Sequence, residues 1–203
     1  MSRVKAGQLG EIKLPHNFAE SLAMSHSYSD LPIWLEIYRQ AFPEMSVCVD
    51  HRQDGDHQRA GIDRSITLEN SKQILIDEKV RGRNKKTGLV YEDIALEYWS
   101  DVDRKVPGWV CKPLLADYIC YAIAPLGKAY LLPVPQLQSA FSSHQAEWLR
   151  NYRIIDADNK FNGRTWKTRS VCIEPPVLFK AIGECLRVRF VAMELEDENP
   201  NRS

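Results

Sequence analysis

Two neighbouring segments, residues 62–69 and 73–81, alternate between apolar and polar side chains, and this alternation limits most narrowly what the chain can fold into. Successive side chains of a β-strand point to opposite faces, so the pattern predicts two strands that each have one core face and one polar face. An antiparallel hairpin brings the two apolar sets onto one face of a sheet. Six apolar residues occupy even-numbered positions in the two segments: Ile62, Ile66, Leu68, Ile74, Ile76 and Val80.

The link between the two strands sets the expected register. An odd number of loop residues keeps the apolar sets on one face, whereas a two-residue turn places them on opposite faces. We therefore predict a three-residue turn at 70–72, with Glu69 opposite Gln73. The same register places Arg64 opposite Glu78, where the two side chains can form a cross-strand ion pair.

The polar face of this hairpin gathers three charged side chains. In the predicted register Asp63 lies opposite Lys79, and Asp77 lies diagonal to Asp63. Two neighbouring carboxylates repel each other, and a divalent cation that prefers oxygen ligands, Mg²⁺ or Mn²⁺, relieves this repulsion. The backbone carbonyl of Glu78 is a further candidate ligand. A bound cation activates water, and Lys79 can orient that water and stabilise the transition state of phosphodiester hydrolysis. The alternative is a salt-bridge ladder on an exposed sheet face.

The rest of the chain completes an α+β pattern around this hairpin. The expected fold is α/β/α-like, with a mixed central sheet that contains an antiparallel meander. Periodicity and Pro/Gly punctuation predict helices at 32–42, at 135–152 and after Pro175-Pro176, and strands at 45–50, 93–100, 118–123, 129–134 and 186–190.

The spacing of the charged residues has a counterpart in a known family. Asp63, followed after thirteen residues by Asp77-Glu78-Lys79, resembles the signature of the PD-(D/E)xK nuclease superfamily, which has a restriction-endonuclease-like fold. The resemblance implies that Asp63 and Asp77 bind Mg²⁺ and that Lys79 serves the attacking water during cleavage of DNA or RNA. It also implies a further metal-facing glutamate on the first helix, a position that Glu36 matches.

The resemblance covers residues 31–152 and departs from the family pattern at two points. Gly61-Ile62 precede Asp63 where the family has a proline, and residue 77 is aspartate where glutamate is commoner. The domain organisation that we expect is an N-terminal extension at 1–30, a nuclease-like core at 31–152, a C-terminal elaboration packed on the core at 153–193 and a flexible acidic tail at 194–203.

Two basic segments are candidates for contacts with nucleic acid. A loop beside the triplet can track a phosphate backbone, although a solvated hairpin tip has the same composition. The second segment interleaves an aromatic residue, which can stack on a base or cap the core. The first segment comprises Arg81, Arg83, Lys85 and Lys86, and the second comprises Arg164, Trp166, Lys167 and Arg169.

Other chemistry-bearing residues leave alternatives open. The stretch from His51 to His57 contains two histidines and two aspartates, which can form a second metal site, but a loop between strands is the favoured interpretation. Glu97, on the strand predicted after the basic loop, is either a fourth acid near the site or an edge charge. The five cysteines are scattered and form no C-x-x-C pair, which argues against a thiolate zinc site and a disulfide framework.

Composition sets limits on the partners. Lys+Arg and Asp+Glu both number 27, so binding of nucleic acid must depend on local charge. No apolar run approaches the roughly 18 residues of a membrane span, and the first residues lack a hydrophobic stretch. We therefore expect a cytoplasmic protein with no membrane partner.

These observations predict a nuclease that depends on Mg²⁺ or Mn²⁺, a phosphodiester hydrolase that acts on DNA; whether it acts as an endonuclease or an exonuclease stays open. A non-catalytic nucleic-acid-binding or assembly protein with the same fold is the alternative. Because a small domain that cuts both strands of a duplex commonly acts in pairs, a homodimer is one expected assembly.

Overall fold

The structure is a computed structural model that describes residues 32–84, 87–161, 163–183 and 185–193. The predicted N-terminal extension and acidic tail, and the loop residues Lys85 and Lys86, lie outside the described residues. The helices of the described part are α1 (Ile33–Ala41), α2 (Gly55–Ala60), α3 (Val134–Asn151) and α4 (Pro175–Ile182). The strands are β1 (Met45–Asp50), β2 (Arg64–Leu68), β3 (Gln73–Arg81), β4 (Ile94–Asp101), β5 (Val106–Pro107), β6 (Tyr118–Ile123), β7 (Lys128–Pro133), β8 (Ile154–Phe161), β9 (Arg164–Ile173) and β10 (Leu186–Arg189).

Two sheets organise these elements. The larger sheet has six strands in the order β1-β2-β3-β6-β7-β10, and the smaller has four in the order β5-β4-β9-β8. Within the larger sheet β3 and β6 run parallel, while the other neighbouring strands are antiparallel. The α+β fold with a mixed central sheet and an antiparallel meander, β1 to β3, is therefore confirmed.

Apolar cores cover both faces of the larger sheet. Alternation along β6 separates them, because Cys120 and Ala122 lie in the core under α1 whereas Ile119 and Tyr121 lie in the other core. Helix α1 buries Trp34 and Ile37 in the first core. Helices α3 and α4 and strand β4 contribute buried side chains to the second. None of the described helices is both long enough and apolar enough to cross a membrane.

The hairpin of β2 and β3 has the predicted faces but not the predicted register. Ile66 pairs with Ile74, and Arg64 pairs with Ile76, so the pairing is displaced by two residues from the prediction. A displacement of two residues preserves the alternation, which is why the apolar faces still coincide. The apolar core therefore does not distinguish the two registers.

The turn between the strands explains the difference. The loop comprises residues 69–71, since the Leu68 N–H donates to the Lys72 carbonyl at 2.9 Å. Asn70 Oδ1 accepts the Lys72 N–H at 3.0 Å, and Ser71 takes a positive φ of 65°. These local bonds form a turn that the strand pattern does not encode.

The C-terminal segment joins both sheets. Strand β10 pairs with β7 at an edge of the larger sheet, and β9 pairs with β4 in the smaller one. The hairpin of β8 and β9 was not predicted, because its exposed side chains lack a regular apolar face. Helix α2 was also not predicted; it lies in the segment expected to be a loop.

Candidate functional site

Asp63, Asp77 and Lys79 lie together on the face of the larger sheet that α1 does not cover. Asp77 pairs with Ile119 and Lys79 with Tyr121, and both partners belong to the second core. Asp77 is 4% exposed, and the Lys79 ammonium contacts its Oδ1. The Lys79 side chain is 30% exposed, so solvent reaches the site through it.

Asp63 enters the site from the end of a strand ladder. Its N–H donates to the Ile76 carbonyl at 2.8 Å, and its Oδ2 accepts the Glu78 N–H at 2.7 Å. The Asp63 carboxylate thus accepts the Glu78 N–H at the end of the β2–β3 pairing, where a backbone carbonyl of a longer β2 would otherwise accept it. The predicted position of Asp63 opposite Lys79 was wrong, because the register is displaced, yet the carboxylate reaches the same group.

Burial and neighbouring charges shift the ionisation of this group. Burial, together with the charge of Asp77, raises the pKa of Asp63 to about 6 against the opposing effect of Lys79. Burial by itself lowers the pKa of Lys79, but the carboxylates of Asp77, Asp63 and Glu97 outweigh it and raise that pKa above its ordinary value. The ammonium is therefore held in its charged form by three surrounding carboxyl groups.

Glu97 joins the site from the smaller sheet. Burial raises the pKa of Glu97, while the charges of Lys79 and Lys112 oppose the rise. The pairing of β4 with β9 is irregular between Glu97 and Trp99, and such irregularities redirect side chains next to functional sites. A Cβ on Gly108 would lie 2.3 Å from the Glu97 carbonyl oxygen, so only glycine allows this close approach.

Glu36 does not belong to this group, which corrects the prediction. Helix α1 packs on the opposite face of the sheet, and the Glu36 carboxylate accepts a weak bond from the Gln40 amide at 3.4 Å. The resemblance implied a helix that faces the site, whereas the buried stripe of α1 turns Tyr38 toward the sheet instead. Glu97 is the third acid near Asp63 and Asp77.

The basic loop is only partly available for nucleic acid. The Arg81 side chain is 14% exposed and pairs with Asp93, which leaves little of its guanidinium for the predicted contact with phosphate. The exposed Arg83 donates to the Gly88 carbonyl at 2.9 Å. In the second basic segment, Arg169 forms a two-point ion pair with Asp156 at 2.6 and 2.7 Å. Internal ion pairs therefore account for much of this predicted basic surface.

The donor set at Asp63 and Asp77 suits a hard divalent cation. Two carboxylates lie beside the Glu78 carbonyl, to which Lys79 Nζ donates at 3.3 Å. Mg²⁺ commonly binds through one or two carboxylates and keeps several waters, so this set is sufficient. Among the residues that the structure describes, the group with three ligand atoms within 4.8 Å of one another lies elsewhere, at His51, Asp54 and His57.

Searches of family models, curated proteins and solved structures found nothing that matches this chain.

Proposed function

We propose that this protein is a divalent-cation-dependent nuclease that hydrolyses phosphodiester bonds in DNA. The observation that carries the proposal is the close grouping of Asp63, Asp77 and Lys79, in which a buried carboxyl keeps a raised pKa beside a second carboxylate and an ammonium. An ordinary surface salt bridge neutralises one carboxylate with one cation. Here the carboxyl groups outnumber the ammonium, which is the charge pattern that a divalent cation completes.

Asp63, Asp77 and the Glu78 carbonyl are the groups that would hold Mg²⁺ or Mn²⁺. When bound, such a cation lowers the pKa of water and neutralises charge on a phosphate oxygen. Lys79 has a different role, because its ammonium can donate to the attacking water or to a phosphate oxygen and so stabilise developing negative charge. Glu97 helps to hold the Lys79 ammonium in its charged form and in place.

Solvent access supports this assignment of roles. Asp77 is almost entirely buried, and Lys79 is the more exposed member of the pair. A phosphate that approaches from solvent thus meets the ammonium before the carboxylates, which reduces repulsion between an anionic substrate and an acidic site. Arg83, with Lys85 and Lys86 of the same loop, is proposed to contact the DNA backbone.

The test is cleavage of defined substrates with and without metal. Supercoiled plasmid, linear duplex, single strands and branched junctions are incubated with the protein in Mg²⁺, Mn²⁺ or EDTA. We expect metal-dependent cleavage that Asp77→Asn and Lys79→Met strongly reduce. The matched control is the double variant Glu92→Gln, Lys128→Met, because this Glu–Lys pair, at 2.8 Å, belongs neither to the site nor to either basic segment.

Two outcomes would overturn the proposal. Cleavage by Asp77→Asn at the wild-type rate would come from another site or a contaminant. Metal-independent binding to DNA without cleavage would instead support the alternative, a binding or assembly protein with this fold. Sedimentation with duplex DNA tests the homodimer that double-strand cleavage favours.

A further inference from the structure

The segment between β1 and β2 brings two imidazoles and a carboxylate together. His51 follows β1, Asp54 precedes α2, and His57 lies within α2. One ligand atom from each of these residues lies within 4.8 Å of the other two. The two histidine rings stack with their centroids 4.0 Å apart and their planes 7° apart.

Contacts on both sides hold the three side chains in this arrangement. Asp54 Oδ1 accepts the Asp56 N–H at 2.9 Å, and Asp54 Oδ2 lies 2.7 Å from His57 Nδ1. His51 Nε2 lies 2.7 Å from the Ser65 hydroxyl oxygen, and Ser65 is buried on β2. Such a bond from the second nitrogen of an imidazole is the usual way in which a metal-binding histidine is oriented.

The backbone ties the same segment to the sheet. The His51 N–H donates to the Asp63 carbonyl at 2.9 Å, and the Ile62 N–H donates to the His57 carbonyl at 2.9 Å. The group is therefore attached at two points to the chain that enters β2. Side-chain exposures of 38% for His57 and 48% for Asp54 leave one side of the group open to solvent.

We propose that His51, Asp54 and His57 bind one transition-metal ion of the Zn²⁺ type, with a solvent molecule in the remaining position. Imidazole nitrogens are ligands for Zn²⁺, Co²⁺ and similar ions, whereas Mg²⁺ prefers oxygen alone. Three protein ligands with an open fourth position are a common zinc arrangement. The donor chemistry therefore separates this site from the one at Asp63 and Asp77.

The distances require only small adjustments in both directions: atoms up to 4.8 Å apart must approach each other, and Asp54 Oδ2 and His57 Nδ1, now 2.7 Å apart, must separate slightly if both bind the ion. Bonds of about 2.0–2.1 Å in a tetrahedral site place ligand atoms about 3.4 Å apart, and the three atoms already lie within 4.8 Å. Rotation of two partly exposed side chains can supply the difference. Binding would fasten the segment at 51–62 to β2 and so stabilise the folded chain.

The experiment uses the full chain after treatment with EDTA and dialysis. Zn²⁺ affinity is measured by competition with a chromogenic chelator, and Co²⁺ is added separately as a spectroscopic probe of coordination. We expect about one equivalent of either ion, a visible Co²⁺ spectrum of low coordination number and a higher Tm in Zn²⁺. Absence of both Zn²⁺ binding and the Co²⁺ spectrum would overturn the proposal.

The variants His57→Gln and Asp54→Asn test the ligands at exposed positions, where the fold should tolerate substitution. Loss of a direct ligand should weaken Zn²⁺ binding by more than the roughly 10- to 100-fold typical of a lost outer contact. The matched control is His144→Gln, whose ring stacks on Trp148 at 5.3 Å on α3. Equal Zn²⁺ affinity in wild type and His57→Gln would place the ion elsewhere and reject the site.

This proposal is independent of nuclease activity. Asp77→Asn should leave the Zn²⁺ affinity unchanged, and His57→Gln should leave Mn²⁺ binding at Asp63 and Asp77 unchanged. Zinc binding that disappears in Asp77→Asn but persists in His57→Gln would contradict the ligand set proposed here.

Discussion

The two faces of β3 carry charged groups that differ in their exposure to solvent. Asp77 and Lys79 point to one face, where the Lys79 side chain is 30% exposed. Glu78, between them in sequence, points to the other face and is 2% exposed beneath α1. Adjacent residues of a single strand thus occupy a site open to solvent and an enclosed one.

The enclosed group is built as a structural contact. Arg64 Nε lies 2.5 Å from Glu78 Oε1, and the Tyr38 hydroxyl donates to the same oxygen at 2.6 Å. In the described structure Oε2 of Glu78 is buried without a hydrogen-bond partner. The difference teaches that position in the Asp-Glu-Lys triplet, rather than acidity, decides which carboxyl lies beside the partly exposed Lys79 ammonium.

The largest expected effect is a difference in cleavage rate between substitutions of two neighbouring acids, Asp77 and Glu78. Under the proposed function Asp77→Asn should lower cleavage by about 10³-fold, because a cation bound at this site would supply several kcal/mol of transition-state stabilisation. Glu78→Gln should keep cleavage within about tenfold of wild type, since its carboxyl faces the other core and only its backbone reaches the site. Initial rates with plasmid DNA in Mn²⁺ measure both, and equal losses in the two variants would contradict the separation of faces.

Breaking the enclosed pair should mainly change stability. Arg64→Met leaves Glu78 buried without its cation, and loss of one partner of a buried pair costs about 3–5 kcal/mol. Arg169→Met is the control, because its partner Asp156 is 31% exposed, and such pairs contribute about 0–1 kcal/mol. Urea unfolding at pH 8 compares the two variants, and similar losses would show that the enclosed pair has no special role.

The pH dependence of stability should identify Glu78. Burial raises the pKa of Glu78 from 4.5 to about 7, against the charge of Arg64 and the hydrogen bond from Tyr38. The folded chain therefore keeps a proton that the unfolded chain releases near pH 4.5, and the contribution of Glu78 to the free energy of unfolding falls as the pH rises through this window. Above about pH 7 this contribution is constant.

In the Glu78→Gln variant the side chain cannot ionise, so the variant should lack the contribution of Glu78 to the pH dependence of stability. Between pH 5 and 7 the free energy of unfolding of wild type should therefore fall relative to that of the variant by up to about 1.4 kcal/mol per pH unit. Urea titrations at several pH values measure the slope. Parallel profiles for wild type and variant would assign the pH dependence to other groups.

The smallest effect is expected at Glu97, which acts through Lys79. Glu97→Gln should lower cleavage by about tenfold, because the Lys79 ammonium loses one of three surrounding carboxyl groups while Asp63 and Asp77 remain. The alkaline limb of the pH–rate profile should also move to lower pH, since Glu97 contributes to the raised pKa of Lys79. An unchanged profile would mean that Glu97 has no part in positioning the charge of Lys79.

Local alternation made much of this site predictable. Asp63, Asp77 and Lys79 occupy odd positions in segments whose even positions are mostly apolar, so the pattern alone indicates that they share a face. The Arg64–Glu78 ion pair was also predicted, and it is confirmed although the partners are diagonal rather than opposite. Side chains as long as these reach a diagonal neighbour across two strands.

Sequence patterns could not locate the contributions of distant elements. Glu97 reaches the site through an irregularity in β4 and a close approach at Gly108, neither of which has a periodic signal. Glu36 lies away from the site because α1 packs on the opposite face of the sheet, and Arg81 forms an ion pair with Asp93. The stacking of His51 and His57 likewise depends on the unpredicted helix α2.

The amino-acid sequence by itself determined the strands, their two faces and the chemical character of each face, because these depend on the period of two along an extended chain. Tertiary structure alone decided the exact register, the third acid of the site and the meeting of the two histidines. Those features arise where turns, bulges and separate sheets bring residues together across long stretches of chain, and such contacts depend on packing rather than on local spacing.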